Sequence, residues 1–280
     1  MGVVNTENKD TVLYCDVAFP QSLVAVSKVF AQARKSMNAA ELKTFIYALS
    51  SVDWRSNAPN VVYLDKKKLA EILDINSDYN HLSGNLKRAI CKLPEHSLLE
   101  FEGANGYYSK GFFIYRLDIQ RNYVRLKFDD EWLSAFGNLE RDYITLWSSD
   151  IFGMKSERSI AFYENLRLNS DTRITNSRIY TVKNLKDMFR IPFEGSGSYV
   201  KPDGKFNRPV FEERVIDPLI DDLLGCRMIQ LLPYEDDSYC KKIKDGNKVL
   251  GYEVQWVVNN PKNIECEDEN AEPSDSDNDE

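Results

Sequence analysis

Histidine and closely spaced cysteine are what this 280-residue chain has least of. Its two histidines, His81 and His96, stand fifteen positions apart. That excludes a nuclease built on a His-hydrophobe-His metal pair. The five cysteines, Cys15, Cys91, Cys226, Cys240 and Cys266, include no Cys-x-x-Cys spacing. The scatter argues against a zinc site, and the odd count suits a reducing cytoplasm better than a disulfide framework. A P-loop run and a Gly-x-Ser-x-Gly elbow are both missing, and Gly195-Ser196-Gly197-Ser198 is too short and too polar for a phosphate cradle. The paired carboxylates Asp221-Asp222 and Asp236-Asp237 read as solvated surface. Neither cofactor nor catalysis is expected. No apolar run approaches the roughly 18 to 20 residues that span a bilayer. Residues 1–10 are polar without a signal-peptide pattern, so the expectation is a cytoplasmic chain with no membrane contact.

Charge is short in only one place. The chain carries 36 basic and 44 acidic residues, a net charge of −8. Residues 265–280 hold nine acids and no Lys or Arg, which leaves 35 acids against 36 basic residues in the body. The end segment has almost no apolar side chain to bury, so a disordered acidic tail is expected over 261–280. It reads as a solubilising end, or as a strand mimic that competes for basic surface.

The remainder divides into a lead-in over 1–26 and two halves, 27–140 and 141–260, which repeat one order of elements. In the first half, Asn38 and Glu41 mark the start of a helix whose Leu42, Phe45, Ile46, Leu49 and Val52 share a face. A short strand over 61–64, a helix over 66–73 capped by Asp65, and a helix over 79–93 follow. Strands are expected over 98–101, 112–119 and 123–128, the last two joined through Arg121-Asn122, and a short helix after Asp130. In the second half, Ser156 caps a helix holding Ile160, Tyr163 and Leu166. A strand over 180–182, a helix over 183–189 and a Gly/Ser/Pro-rich loop over 194–204 come next.

The longest pattern closes the second half. Asn207 and Pro209 suit the start of a helix over 207–224, and Phe211, Val215, Leu219 and Leu223 line one face. Pro218 lies inside it, removes one hydrogen bond and crowds the carbonyl of Arg214, at about 3 kcal/mol, so a kink is expected. The apolar run 228–232, a basic loop around Asp245-Gly246-Asn247, and alternating Tyr252, Val254, Trp256 and Val258 follow. Helix, strand, basic loop, strand is the profile of a winged helix, and two such units in tandem define an α+β fold. A helix in the DNA groove presents forked or amide side chains to bases. Candidates are Asn207, Arg208 and Arg214 in the second half, and Asn80, Asn85, Lys87 and Arg88 in the first. Phosphate contacts need cations. Lys201, Lys205, Lys241, Lys242, Lys244 and Lys248 suit that role, as do Lys66, Lys67 and Lys68. His81 carries no weight.

At these residues the chain resembles the Rep-3 superfamily of plasmid replication initiators, which bind origin repeats called iterons. MNAAELKTFIYALSSVDW, residues 37–54, looks like that family's opening helix. KSERSIAFYENL, residues 155–166, is similar to the Ser-initiated helix of its second domain. FEERVIDPLIDDLL, residues 211–224, resembles its recognition helix, where Phe211, Arg214, Val215, Ile216 and Pro218 match. Leu219 stands where Ala is usual, Asp222 where Glu is and Leu224 where Asn is. Glu212 and Glu213 occupy positions that are often basic. The resemblance covers roughly 27–258. It implies two winged helices reading successive major grooves of double-stranded origin repeats, with most base contacts from the second. It also implies monomers that help open the origin, and homodimers, joined through the first domain, that repress the initiator's own gene. The host replication initiator and helicase are the implied partners. Two alternatives use the same fold: a transcriptional regulator with no origin function, and a module whose winged helices bind protein.

Overall fold

Several helices in this chain start where a short polar side chain ends an extended stretch. The structure, a computed structural model, describes residues 3–4, 12–13, 23–32, 34–51, 60–75, 79–102, 108–130, 143–246, 248–260 and 264. Val3–Val4 (β1) and Val12–Leu13 (β2) pair antiparallel. The first unit then runs Leu23–Ser27 (β3), Lys28–Gln32 (α1), Arg34–Lys35 (β4), Ala39–Ser50 (α2), Val61–Asp65 (β5), Lys66–Ile72 (α3) and Tyr79–Ile90 (α4). It continues with Leu93–His96 (α5), Leu98–Glu102 (β6), Tyr108–Phe112 (β7), Ile114–Ile119 (β8) and Tyr123–Phe128 (β9). At α2 the capping box is complete. Asn38 Oδ1 accepts from the Glu41 amide and Glu41 Oε2 from the Asn38 amide, both at 2.9 Å, so two of the otherwise orphaned donors of the first turn are satisfied. Asp65 caps α3 through the amides of Lys67 and Lys68.

The expected strand 112–119 is two strands in different sheets. β7 extends a sheet ordered β4-β6-β7, and β8 ends one ordered β5-β9-β8. The chain changes sheets at Phe113, which is fully buried against Phe30 and Phe45. Buried Ser97 holds the crossing, its Oγ accepting from the Ile114 amide at 3.1 Å. The crossing breaks the alternation, Phe113 and Ile114 both being buried and Tyr115 and Arg116 both exposed, but the apolar-aromatic run 112–115 hides that break in the sequence.

The second unit runs Tyr143–Trp147 (β10), Ser148–Gly153 (α6), Glu157–Leu168 (α7), Asn176–Thr181 (β11) and Val182–Met188 (α8). Ser156 Oγ caps α7 by accepting from the Ser159 amide. Arg208–Phe211 (α9), a π-helical turn over Glu212–Ile216 and Asp217–Leu224 (α10) make up the long helix. Ile229–Leu231 (β12), Lys241–Asp245 (β13) and Lys248–Val258 (β14) complete it. β14 is central. β11 pairs along one edge, while β12 and β13 share the other. β13 and β14 form the wing, turning at Gly246, whose φ of +56° favours a residue without a Cβ. The helix and β12–β14 reproduce the order expected of a winged helix, with β13 as an extra strand where a basic loop was expected.

The two units are continuous in their packing. β3 pairs with β10 from Leu23↔Trp147 to Ser27↔Tyr143, so strand residues begin inside the lead-in expected over 1–26. Buried side chains from Val24 to Trp256 form one cluster, with α2 and α1 packed on α7. Behind the long helix, buried Asp150 accepts from the amides of Arg227 (2.8 Å) and Met228 (3.0 Å) and from the Tyr163 hydroxyl (3.0 Å). Burial raises the Asp150 carboxyl above its ordinary range despite these donors. Trp147, Met228 and Ile264 form a small separate cluster. No helix among the described residues is long and apolar enough to cross a membrane. The helix expected after Asp130, the turn at 76–78, and the acidic tail over 261–280 apart from Ile264 lie outside the described residues.

Pro218 acts through the π turn. An α-helical turn would need its missing N–H and would press its ring on the Arg214 carbonyl. Here the amide of Asp217 instead donates to the Glu212 carbonyl, five residues back. The turn widens, so the expected kink takes the form of a π-bulge, one of the recognised causes of helix distortion. Pro218→Ala restores the missing donor. The expected outcome is an unfolding free energy higher by about 1 to 3 kcal/mol in urea titration, together with an altered position of the residues ahead of it. Gly251 gives a second test. A Cβ there would lie 2.5 Å from the Tyr180 carbonyl oxygen and 3.0 Å from the Thr181 Cα, both of them backbone. Gly251→Ala should therefore destabilise by about 1 to 3 kcal/mol in the same urea measurement.

Candidate nucleic-acid interface

The front of the long helix, the loop ahead of it and the wing converge on one face. Bridged Val200 and Phe206 close the loop, and the Lys201 amide donates to the Lys205 carbonyl at 2.8 Å. Lys201 and Lys205 therefore sit on a tight turn at the foot of the helix, both exposed. Lys205 Nζ lies 3.5 Å from Asp203. Buried Lys186 fastens the loop from behind through the Ser198 carbonyl and packs against the rings of Phe193 and Phe206. Asn207 is the cap residue, but its side chain makes no capping bond. Its backbone does the work instead, the amide donating to the Tyr199 carbonyl at 2.7 Å. Phe211 anchors the helix between Tyr199, Phe206 and Tyr252.

The arginines differ. Arg214 is exposed and makes no hydrogen bond or ion pair among the described residues. Arg208 is 42% exposed along its side chain, yet its Nε is buried and lies 3.8 Å from Glu212 Oε2. The same carboxylate meets Lys242 Nζ at 3.1 Å and accepts from the Tyr252 hydroxyl at 3.2 Å. Glu212 therefore turns inward, 14% exposed, whereas Glu213 stays in solvent. Burial and the nearby Glu212 carboxylate raise the carboxyl of Asp217. On the wing, Lys241 lies over the Tyr234 ring. Lys244 and Lys248 are exposed and form no ion pair among the described residues. Cys240, beneath the wing, is half-buried, and burial pushes its thiol up to about 12, so it stays protonated and unreactive.

In the first unit α4 buries Leu82, Leu86 and Ile90 and exposes His81, Lys87 and Arg88. Arg88 donates to Asn85 Oδ1. The side chain of Asn80 lies outside the described residues. Lys67 and Lys68 are exposed, but Lys66 is not a phosphate ligand. It is 5% exposed, and its Nζ binds Ser83 Oγ (2.5 Å) and the carbonyls of Gln120 (3.1 Å) and Arg121 (3.4 Å). A lysine run does not reveal which member turns inward. The one at the first helical position, beside the β8–β9 hairpin, does so because carbonyls there lack donors. That hairpin also carries cations that the sequence reading passed over. Arg116 and Arg125 hold Asp118 at 3.0 and 2.8 Å, which keeps its carboxyl below the usual range, and Lys127 lies over Tyr115. The signal was present as Arg121-Asn122 between two alternating runs.

Comparison with known proteins bears on the family and the fold. The family described as "Initiator Replication protein, WH1" matches residues 23–167, more than half of the chain. A crystal structure of Pi initiator protein in complex with iteron DNA superposes with a TM-score of 0.62 at 17% identity, over 85% of this chain and 98% of that one. At that identity it shows a shared fold. Crystal structures of selenomethionine derivatives of domains 2 and 3 of RctB give a TM-score of 0.44 at 13% identity, over 88% of this chain and 94% of that one, a level that carries no argument. No curated protein matches the sequence significantly. The family match begins at the first residue of β3 and ends within α7, and on its extent the chain belongs to the Rep-3 family of initiator replication proteins.

Proposed function

We propose that this chain initiates plasmid replication by binding repeated origin sequences as duplex DNA. The observation that carries the reading is the pairing of exposed, unneutralised Arg214 on the widened helix with exposed Lys244 and Lys248 on the wing beside it. A helix in the major groove flanked by a cationic flap on the phosphates is the docking geometry of helix-turn-helix relatives. Family membership and the fold shared with an initiator seen on iteron DNA support the same reading.

In this scheme residues 27–140 and 141–260 act as two DNA-binding units on successive grooves. Asn207, Arg208 and Arg214 read bases in the second, and Lys201, Lys205, Lys241, Lys244 and Lys248 line the phosphates. Asn80, Asn85, Lys87 and Arg88 serve the first. Monomers bind direct repeats and help open the neighbouring duplex, and host replication initiator and helicase join them in the cytoplasm. Dimers repress the initiator's own gene. The surface suited to a homodimer is β7, an edge strand among the described sheets. It shows Tyr108 (55% exposed) and Phe112 (51%), with Tyr115 (51%) on adjoining β8. Such an edge offers unpaired backbone groups and apolar surface to a second copy. Phe112→Arg should move the protein towards monomer in sedimentation.

The central test is a titration of origin-repeat and scrambled duplexes over a salt series. Removing Lys244 or Lys248 should reduce the log–log salt slope by about 1 each, on every sequence alike. Arg214→Ala should cost about 1 to 3 kcal/mol on the repeat and much less on scrambled DNA. Duplex binding that does not weaken with salt would overturn the proposal.

A further inference from the structure

We propose that Glu212 sets the balance of specificity over affinity at this interface. It positions Arg208 for base reading and withdraws Lys242 from the phosphates. The assignment rests on the DNA-binding reading above. Glu212 is the point where three elements meet: the helix front through Arg208, β13 through Lys242, and β14 through Tyr252. Lys242 and Tyr252 are themselves paired across the wing. One carboxylate thus holds the wing against the helix.

The chemistry on each partner differs. Guanidinium carries five donors in a fixed fork. With the carboxylate on the buried Nε side, the exposed part of Arg208 is the remainder of the fork. That remainder suits the O6/N7 pair of guanine, and the carboxylate 3.8 Å from Nε draws the guanidinium towards it electrostatically, without a hydrogen bond. Lysine has a single charged centre. Facing Glu212 at 3.1 Å, Lys242 is already neutralised and releases no counterion when a phosphate approaches. The carboxylate also repels any phosphate that comes near without Arg208 engaged on a base. Loss of this charge should tighten binding to unrelated DNA while loosening discrimination. Glu213 has neither partner and points to solvent, so the effect belongs to Glu212 alone.

The discriminating variant is Glu212→Gln, which keeps the shape and an acceptor for Tyr252 but loses the charge. Anisotropy titrations of the full chain with repeat and scrambled duplexes over a salt series read the outcome. For E212Q the slope on scrambled DNA should steepen by about 1 as Lys242 returns to a phosphate. The repeat-to-scrambled affinity ratio should fall about tenfold. Lys242→Ala should leave the slope of the unaltered chain in place, unlike Lys244→Ala, and should remove the gain in E212Q. A merely structural role for Glu212 would not move the salt slope. Unchanged slope and ratio in E212Q, or equal slope losses for Lys242→Ala and Lys244→Ala in the unaltered chain, overturn the assignment and leave the DNA-binding reading standing. Should E212Q fail to fold, the comparison of the two lysines in the unaltered chain decides. Absence of salt-dependent binding by the unaltered chain overturns the DNA-binding reading and this one with it.

Discussion

Pro218 cannot donate a backbone hydrogen bond, and the geometry of the candidate interface follows from how the helix accommodates that. A straight α-helix through 207–224 would bury the apolar face and leave the proline ring against a carbonyl. The π turn over Glu212–Ile216 relieves the conflict by adding one residue to the turn. The added residue rotates the front of the helix by about 100° relative to its rear. The rear stays docked through Leu219 and Leu223, held by the amides that Asp150 caps just beyond it. The front carries Glu212 towards the wing and leaves Arg214 in solvent. Strain at the proline and the placement of charge are therefore one arrangement, in keeping with the concentration of π-bulges at functional sites.

Much of this was legible in the sequence, for identifiable reasons. Asn38, Asp65 and Ser156 announce helices because capping is local chemistry, settled within three residues. The apolar spacing of α4 and α10 gives their buried faces directly. The wing is readable from its basic turn at Asp245-Gly246 and the alternating run that follows it, although the strand β13 ahead of the turn is not. What the sequence hides is non-local. The change of sheet at Phe113 falls in the unbroken apolar-aromatic run 112–115, which does not mark it. The π turn leaves no periodic mark, because a single added residue is lost in the tolerance of a helical stripe. The inward turn of Lys66 depends on carbonyls more than fifty positions away. Glu212 and Glu213 are indistinguishable neighbours in sequence, and only the wing strands that meet the helix separate them.

The charge distribution carries the same lesson. A net charge of −8 would argue against a polyanionic partner, yet nine of the 44 acids lie in residues 265–280, and several others are held internally. Asp118 is held by two arginines, Asp150 by amides and a tyrosine hydroxyl, and Glu212 by a lysine and a tyrosine hydroxyl. Arg214 on the helix front and Lys244 and Lys248 on the wing have no ion-pair partner among the described residues. Net charge speaks to solubility and steering. Which charges remain unspent at a given face decides what docks there.

The ladder between β3 and β10 has a consequence for how the chain is made. Among the described residues Leu23–Ser27 finds its strand partner in Tyr143–Trp147, more than a hundred residues later. At about 5–20 residues per second of synthesis, the earlier strand waits on the order of ten seconds after leaving the ribosome. Throughout that interval β3 can pack on α1 and α2, which follow it at once, but its edge has no strand to pair with. Assembly of the amino-terminal half is thus completed by the arrival of the other half, and the nascent chain's most vulnerable moment falls between the two.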